Sequence, residues 1–484
     1  MKFISFFRVL ARKFLPGRTS VKAQSDYDAA GNGRRTLGWR VSASGPTAAA
    51  VSGLAALRNR SRAATRNNPI AAAAIDRLVS NLIGTGITPR PRGKDASLRE
   101  ALQFLWEDWT GEADADGVTD FYGLQALVCR TMLEAGECFI RLRPRRPSDG
   151  LAVPLQLQAL EPEFVPYEKN GTNGANTIRA GIEFNPIGRR VAYWIHPRHP
   201  NDDAAGRGAN LPIRVPADQV LHVFEPLRPG QIRGIPVLAP ALTKLKSLDD
   251  FDDAALFRQQ VANLFAGFIR KPAPEERIDP ITGGLPEYDR DGFTPMTGLE
   301  PGTMQELLPG EEVEFSDPPD AGNAYPAFMR QQLQAVAAGA GIPYEILTGD
   351  LREVSDRAIR VVLNEFHRRI EERQFSFFIP QFCRPVRAAW LDSAVLSGAI
   401  ALPDYHRRRG EYLRTRWAPQ GWAYIHPVQD VEAQALRVKA GFASRSEVVL
   451  REGYDAELID EENAADHERE RRLGLVYSDQ KTED

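Results

Sequence analysis

Hydrophobic residues recur every three or four positions in several parts of the chain, a spacing that predicts amphipathic helices. The run NNPIAAAAIDRLVSNLIGTG is one example, with Asn68 as a helix cap and Pro69 suited to the first turn. Residues 96–110 and 121–136 repeat this spacing, and Gly136 ends the latter before a strand-like run, CFIRLRPR. The first part of the chain is therefore predicted to contain at least three helices.

Between residues 153 and 225 the pattern changes to short runs in which apolar and polar residues alternate. These runs are VPLQLQALEP, NTIRAGIEFNP, RRVAYWIHP and DQVLHVFEP, each bounded by Pro, Gly or Asn. Alternation with a period of two predicts half-buried strands, here of a mostly antiparallel sheet. Together with the helices, they predict an α/β or α+β body for the first half of the chain.

Longer helices are predicted in the second half, over residues 240–270, 324–340 and 355–379. Residues 271–322 separate the first two of these helices and are rich in Pro, Gly and acidic residues. They include one strand-like run, EEVEFS, which indicates a small β-containing module. The third helix has one apolar stripe, formed by Ile359, Leu363, Phe366, Ile370 and Phe377.

The two ends of the chain differ from this body. The first residues predict a basic amphipathic helix that ends at Pro16, and Arg8, Arg12 and Lys13 interrupt the apolar run too often for a signal peptide. We expect this helix to dock on the protein itself or to fray, rather than to contact membrane or DNA. Residues 17–62 are rich in Gly, Ser, Ala and Arg and predict an extended arm.

The composition is that of a globular protein with a sizeable core, since 43% of its 484 residues are apolar and 26% are charged. A chain of this length predicts about two to four domains. The formal net charge of −3 argues against tight binding of nucleic acid over the whole surface, but it permits loose contact. No apolar run reaches the length of a membrane span, so no membrane partner is expected.

The three cysteines, Cys129, Cys138 and Cys383, form no C-x-x-C pair, which indicates a reducing compartment without a disulfide framework. No P-loop, nucleophile elbow or zinc-protease helix occurs in the sequence. We therefore expect no catalytic residue, no cofactor and no metal.

The strongest cluster of carboxylates is the run LDDFDDAA, which contains Asp249, Asp250, Asp252 and Asp253. Like charges three or four positions apart on a helix repel each other, so they need water, a cation or a basic partner. One interpretation is the metal site of a metal-dependent nuclease. The favoured interpretation is an exposed or inter-subunit acidic face, because no His or further carboxylate is adjacent to complete a ligand set.

A polar stretch, GIPYEILTGDLREVSDRAIR, lies between two of the predicted helices and raises the question of whether Asp350 and Glu353 perform chemistry. Gly349 gives the backbone freedom to turn, and Ser355 can cap the helix that follows. The polar middle of the stretch can face water. These features indicate a connecting loop rather than an active site.

Several phrases, in order, resemble the lambda-type family of phage portal proteins. They are NNPIAAAAIDRLVSNLIGTGITPRPR, the GE at 136–137, NTIRAGIEFNPIGRRVAYWIHPRHP, VPADQVLHVFEPLRPGQIRGIP, GIPYEILTGDLREVSDRAIR and WAPQGWAYIHPVQDVEAQALRVKAGFASRSEVVLREGYDAE. The resemblance covers residues from about 60 to 470, and RPGQIRGIP and HPVQDVEA…GFASRSEV are its most specific segments. Because the matches are collinear, the resemblance is stronger than any single motif.

The resemblance implies an α+β portal fold that assembles as a ring, typically of twelve subunits. Its segments would be an N-terminal basic helix and extended arm (1–62), an α/β wing with a mostly antiparallel sheet (63–238), a first stem helix (239–270), a β-containing clip (271–322), a second stem helix (323–344), a tunnel loop (345–356), a long wing helix with its return (357–400), a helical crown (401–475) and a flexible tail (476–484).

The resemblance also implies a tunnel loop that lines the DNA channel, and an acidic stem containing Asp249, Asp250, Asp252 and Asp253. Portal proteins often have a Tyr-Ser-Ser-Ala-Arg-like run before the wing helix, from which Val354 and Asp356 depart here. The loop's position is therefore better supported than the role of each side chain. The implied loop residues are Thr348, Gly349, Asp350, Leu351, Arg352, Glu353, Val354, Ser355 and Arg357.

The implied function is that of a ring at one capsid vertex, through which double-stranded DNA passes without sequence specificity. The implied partners are the terminase large subunit, head–tail adaptor proteins, and the major capsid and scaffold proteins. Such a protein is not an enzyme, and it would be found in the virion and, during assembly, in the host cytoplasm. The alternatives are the nuclease described above and another minor virion structural protein.

Overall fold

The structure is a computed structural model, and it describes Gly38 and residues 41–93, 95–202, 210–263, 267–270, 312–315, 325–422 and 426–475. The chain divides into two units, residues 1–45 and 46–484. In the first unit, residues 41–45 form neither helix nor strand. The predicted N-terminal helix and most of the predicted clip lie outside the described residues.

The second unit begins with a helical and sheet-containing half. Its elements are, in chain order, α1 (Pro46–Val51), α2 (Leu54–Asn67), α3 (Pro69–Leu82), β1 (Thr88–Pro91), α4 (Ala96–Thr110), α5 (Phe121–Ala135), β2 (Glu137–Pro144), β3 (Leu155–Leu160), β4 (Gly171–Asn173), β5 (Asn176–Arg179), β6 (Ile182–Phe184), β7 (Arg190–Ile195), β8 (Ile213–Pro216) and β9 (Val220–Phe224). Asn68 caps α3 as predicted, because its side-chain oxygen accepts a hydrogen bond from the Ala71 N–H.

The second half of this unit is mostly helical. Its elements are α6 (Leu242–Asn263), β10 (Gly267–Arg270), β11 (Glu312–Phe315), α7 (Tyr325–Ala340), α8 (Tyr344–Thr348), α9 (Asp356–Arg373), a π-helix (Gln374–Cys383), α10 (Arg384–Ser397), α11 (Tyr405–Tyr412), β12 (Thr415–Ala418), α12 (Pro427–Lys439), α13 (Arg445–Arg451) and α14 (Ala456–Leu473). The stripe predicted on the third long helix is confirmed in part: Phe366, Ile370 and Phe377 are buried, whereas Ile359 and Leu363 are half-buried.

The alternating runs form two antiparallel sheets rather than one. The first sheet has the strand order β3–β2–β9, and the second follows chain order from β4 to β8. In the first sheet, Phe139 of the central strand β2 pairs with Leu160 on one side and His222 on the other. The prediction of a mostly antiparallel arrangement is therefore confirmed for residues 153–225.

The prediction of one helix over residues 240–270 is wrong at its C-terminal end. The helix stops at Asn263, and Gly267–Arg270 form β10, which pairs antiparallel with β11. The sequence GFIR contains an aromatic and a β-branched residue, which favour a strand once a partner strand is present. The strand predicted from EEVEFS is confirmed as that partner.

The prediction of an extended arm over residues 17–62 is wrong from Pro46 onward, where α1 and α2 form. Leu54, Arg58 and Ser61 fall on one face of α2 and are buried. A buried arginine on this face hid the amphipathic pattern. The predicted all-helical segment 401–475 also contains β12, which pairs antiparallel with β1 from the first half of the chain.

A large aromatic cluster occupies the main core. The rings of Trp106 and Trp390 make an edge-to-face contact with centroids 5.2 Å apart, and Phe121 stacks on Phe382 at 5.8 Å. Because Trp106 and Phe121 come from the first half and the other two from the second, this core joins both halves of the chain. The three cysteines are buried, and none of them forms a disulfide.

A second, smaller core lies between the two sheets and is bounded by a buried carboxylate, Glu137. Its oxygens accept hydrogen bonds from Arg233 Nε at 2.8 and 3.0 Å, from His222 Nε2 at 2.9 Å and from the Gly234 N–H at 2.9 Å. A guanidinium nitrogen of Arg58 on α2 lies 3.7 Å from the same carboxylate. One side chain thus connects α2, β2, β9 and the segment after β9.

Two glycines allow this contact to form. A Cβ on Gly234 would lie 1.9 Å from the carbonyl oxygen of Gly136, and a Cβ on Gly136 would lie 2.6 Å from the carbonyl carbon of Ile235. Gly136 also has φ +93°, a backbone conformation that other residues rarely adopt. The GE and RPGQIRGIP phrases, which are distant in sequence, are therefore in direct contact.

The pKa values of Glu137 and His222 are shifted by different causes. Burial by itself raises the pKa of Glu137, but Arg233 and His222 outweigh it and hold that pKa well below its usual value. Burial lowers the pKa of His222 from 6.5 to about 4, although its hydrogen bond to Glu137 acts in the opposite direction. Near neutral pH, an ionised Glu137 therefore accepts a hydrogen bond from a neutral His222 ring.

We expect the free energy of unfolding to fall as pH decreases from about 6.5 to about 4. Over this interval the unfolded chain binds a proton at residue 222 that the folded chain does not, which favours unfolding by on the order of 3 kcal/mol. Urea titrations followed by tryptophan fluorescence at several pH values measure this loss. His222→Gln should reduce it, whereas the exposed His406→Gln should not; equal losses in both variants would contradict the assignment.

Candidate functional site

The stretch predicted as a loop over 345–356 begins with a short helix, α8, whose last residue is Thr348. Gly349 ends α8 in the left-handed conformation with φ +73°, and the chain then turns through residues 350–355. Ser355 caps α9, since its hydroxyl oxygen accepts a hydrogen bond from the Ala358 N–H at 3.3 Å. Both roles predicted for Gly349 and Ser355 are confirmed.

Asp350 is the centre of this loop. It accepts hydrogen bonds from Arg352 Nε and Nη2 at 2.8 and 2.9 Å, and from the Tyr344 hydroxyl at 2.9 Å. The hydrogen bonds from Arg352 and then Tyr344 hold the pKa of Asp350 well below its usual value. A carboxylate whose pKa is held low and whose oxygens already accept hydrogen bonds is a poor general acid or base, so Asp350 fixes the loop's conformation rather than performing chemistry.

Arg330 of α7 holds the other acidic residue of the loop. Its guanidinium binds Glu353 Oε2 at 3.1 Å and the Arg352 carbonyl oxygen at 3.2 Å. Glu353 has φ +64°, which is unfavourable for a residue with a side chain and costs about 1 to 3 kcal/mol. The contacts from Arg330 stabilise this strained turn.

The other predicted loop residues have local or exposed positions. The Thr348 hydroxyl donates to the Tyr344 carbonyl oxygen at 2.8 Å, and the Val354 N–H donates to the Leu351 carbonyl oxygen at 3.2 Å. The Leu351 side chain is 60% exposed. Arg357 is also exposed, in the first turn of α9. The structure therefore brings the predicted residues together, but Thr348 and Arg357 belong to the flanking helices.

Sequence reasoning missed Arg330 and Tyr344, the two residues outside the predicted set that hold this loop. Arg330 lies in the preceding long helix, and nothing in the sequence indicates that it reaches forward to Glu353. Tyr344 precedes the loop closely, but a lone tyrosine at a helix start has no specific signature. Both contacts depend on how α7 and α8 pack.

The acidic residues of α6 make structural contacts. Asp249 accepts a hydrogen bond from the side-chain amide of Asn68 at 2.6 Å, Asp250 pairs with Lys246, and Asp252 accepts a hydrogen bond from the Tyr325 hydroxyl. Asp253 is exposed to solvent. Three of the four carboxylates thus have hydrogen-bond or ion-pair partners within the chain, and Lys246 offsets part of their mutual repulsion.

Among the described residues, the group whose ligand atoms lie close enough to hold a metal is Glu161, Glu163 and His199, not the α6 carboxylates. Arg62 binds Glu161 at 3.0 Å and Glu163 at 2.7 Å, and Arg58 binds Glu163 at 3.1 Å. Two guanidinium groups already neutralise these carboxylates and repel a divalent cation. This group is an ion-pair cluster that attaches α2 to the sheet region.

None of the described helices is both long and apolar enough to cross a membrane.

Residues 32–374, more than half of the chain, match the family described as "Phage portal protein, lambda family".

Three relatives cover most of the chain. The "Probable portal protein" of Halomonas phage phiHAP-1 is 26% identical over 436 residues, covering 87% of this chain and 81% of that protein. The "Portal protein" of Escherichia phage N15 is 22% identical and covers 95% of this chain and 93% of its own. "Portal protein B" of Escherichia phage lambda is 21% identical and covers 95% and 92%.

Among solved structures, the chain is similar to a subunit in the neck of the empty gene transfer agent (GTA) particle, with a TM-score of 0.43 and 15% identity over 83% of this chain and 93% of that one. The relatives extend the family match over nearly the whole length of the sequence. This chain therefore belongs to the lambda family of phage portal proteins, which are structural, non-enzymatic head–tail connector components of the virion.

Proposed function

We propose that copies of this chain form a closed ring of twelve subunits, in the manner of portal proteins, at one capsid vertex. Double-stranded DNA passes through this ring during packaging and ejection, and residues 348–357 line its narrowest part. The observation that supports this proposal best is the pairing of the loop's charges within the chain. Arg352 is paired with Asp350, and Arg330 is paired with Glu353.

A channel that conducts DNA must not hold it. Each lysine or arginine that neutralises a phosphate releases counterions and strengthens binding, so several free arginines at the constriction would slow the duplex. Here the neighbouring carboxylates reduce that attraction. Arg357 is exposed at the start of α9, and we propose that it makes transient phosphate contacts without reading bases.

The two helices of the proposed stem, α6 and α7, support the ring. They contact each other through Phe251, which stacks on Tyr325 at 6.1 Å and packs against Phe328 at 5.1 Å. Yet Phe251 and Phe328 remain 43% and 41% exposed, and Leu256 and Phe257 of α6 are 59% and 67% exposed. An apolar surface of this kind indicates contact with another protein surface, which a neighbouring subunit supplies in a closed heterologous ring.

The segments assigned by resemblance are part of this proposal. Residues 63–238 and 357–400 are the wing, 239–270 and 323–344 the stem, 271–322 the clip and 401–475 the crown. We propose that the clip docks the terminase large subunit during packaging and head–tail adaptors afterwards. The ring would also nucleate assembly with the major capsid and scaffold proteins, in the host cytoplasm before incorporation into the virion.

Electron microscopy of the purified full-length protein tests the ring directly. We expect closed rings with a central hole, and class averages give the number of subunits. Leu256→Glu with Phe257→Glu should weaken the ring, because it places charges in the proposed apolar contact, whereas Leu396→Glu, at a 90% exposed position on α10, is the control. A wild-type protein that stays monomeric at high concentration would contradict the proposal.

Deleting residues 348–353 tests the role of the loop. The deletion should leave the ring intact, because these residues are not part of the exposed apolar surface of α6 and α7 that is proposed to contact the neighbouring subunit, but DNA packaging or retention should fall. Ring formation is measured by microscopy, and packaged DNA by nuclease protection in a phage or reconstituted packaging system. Deleting the exposed residues 146–150 is the control. Normal packaging and retention after loop deletion would show that residues 348–353 are not the functional constriction.

Limited trypsin digestion tests whether the ion pairs shape the loop. Asp350→Asn removes the charge that binds the Arg352 side chain, so cleavage after Arg352 should become several-fold faster as the loop opens more often. Fragment masses identify the cleavage site. Glu365→Gln, which breaks an exposed pair with Arg368 on α9, should not change that rate. Equal rates in all three proteins would mean that the pair does not restrain the loop.

A further inference from the structure

A second fully buried arginine, Arg387 of α10, lies in the aromatic cluster of the main core. It is 1% exposed. Its guanidinium carbon is 4.1 Å from the ring centre of Trp390 and 4.8 Å from that of Trp106. The faces of two indole rings therefore cover the cation, a contact that offsets part of the cost of removing it from water.

The part of the chain that the structure describes leaves the hydrogen-bonding capacity of Arg387 unsatisfied. Nε, Nη1 and Nη2 are all buried without an acceptor, and no carboxylate of the described chain forms an ion pair with this side chain. Burial lowers the pKa of Arg387 to about 9, so the group remains charged at neutral pH. The Nε1–H of the adjacent Trp390 is also buried without an acceptor.

Arg233 provides the comparison within the same fold. It is equally buried, but its guanidinium binds the Glu137 carboxylate and the carbonyl oxygens of Val165 and Ala180. Buried charges in proteins are generally paired in this way, because an isolated one costs several kcal/mol. Arg387 has the same burial and charge, but no described residue supplies such a counter-charge to it.

Two kinds of small species could satisfy these donors, water or an anion. Water accepts hydrogen bonds but leaves the positive charge uncompensated in a region lined by indole and phenyl rings. An anion accepts hydrogen bonds and neutralises the charge, and the guanidinium offers donors only. Since the side chain is 1% exposed, the species must be small enough to lie wholly within the core, and a single negative charge suffices to neutralise the guanidinium.

We propose that the donors of Arg387, beside Trp106 and Trp390, bind a small monovalent anion of the halide class inside each subunit. The anion is a structural counter-ion that allows a cation to occupy the core joining the two halves of the chain. The site is independent of ring assembly and of the proposed DNA channel.

Bromide is the direct probe, because it replaces chloride and scatters X-rays anomalously. Crystals of the full-length protein grown in chloride and soaked in bromide should show an anomalous peak within hydrogen-bonding distance of the Arg387 guanidinium. Peaks on the protein surface serve as an internal reference for adventitious binding. Ordered water alone around the guanidinium, or a carboxylate bound to it, would overturn the proposal.

A solution measurement uses two arginines on the same helix. In wild-type protein the Tm should rise when gluconate is replaced by chloride or bromide at constant ionic strength, because the folded state alone binds the halide. Arg387→Met retains apolar volume without the charge and should lose this shift, whereas the exposed Arg384→Met should retain it. The crystal experiment decides the matter if Arg387→Met does not fold.

Two further outcomes of the Tm and bromide experiments would overturn the proposal. An equal halide shift in both variants, or a bromide peak that persists in Arg387→Met, would identify an adventitious ion only and overturn it. A Tm that does not depend on halide in the wild type, together with no peak at Arg387, would overturn it as well.

Discussion

The contact between Glu137 and Arg233 is the interaction on which the sheet half of the structure depends. It is fully buried, it joins the start of β2 to the segment after β9, and it draws in His222 and Arg58 from two further elements. Removing one partner of such a pair leaves an uncompensated buried charge and typically costs about 3 to 5 kcal/mol. The pair forms only because two glycine backbones approach each other more closely than any side chain permits.

Charge neutralisation within the chain recurs outside this centre. In the loop between α8 and α9, Arg352 is held by Asp350 in solvent, where the pair contributes shape more than stability. Arg387 in the aromatic core is the exception, because indole rings cover it without neutralising it. Because Asp350 pairs with Arg352, the loop's attraction for phosphate is reduced, which suits the DNA conduit proposed above.

Local sequence signals predicted the helices and strands that have local causes. The cap at Asn68, the stop at Gly136 and the period-two runs each act over a few residues, and each is present in the structure. The errors occurred where distant partners decide the outcome. The end of α6 depends on the pairing of β10 with β11, and α2 depends on burial of Arg58 against carboxylates from other elements.

The candidate loop shows the same division between local and distant causes. Its position between two helices, the turn at Gly349 and the cap at Ser355 follow from residue types, so the sequence was sufficient to locate them. Its conformation follows from Arg330 and Tyr344, whose reach depends on how α7 and α8 pack. The strained backbone at Glu353 and the hydrogen bond from Tyr344 to the Asp350 carboxylate are consequences of that packing. Both acidic residues therefore determine the shape and charge of the surface that the loop presents, and a surface of that kind can line a channel only when several copies of the chain surround it.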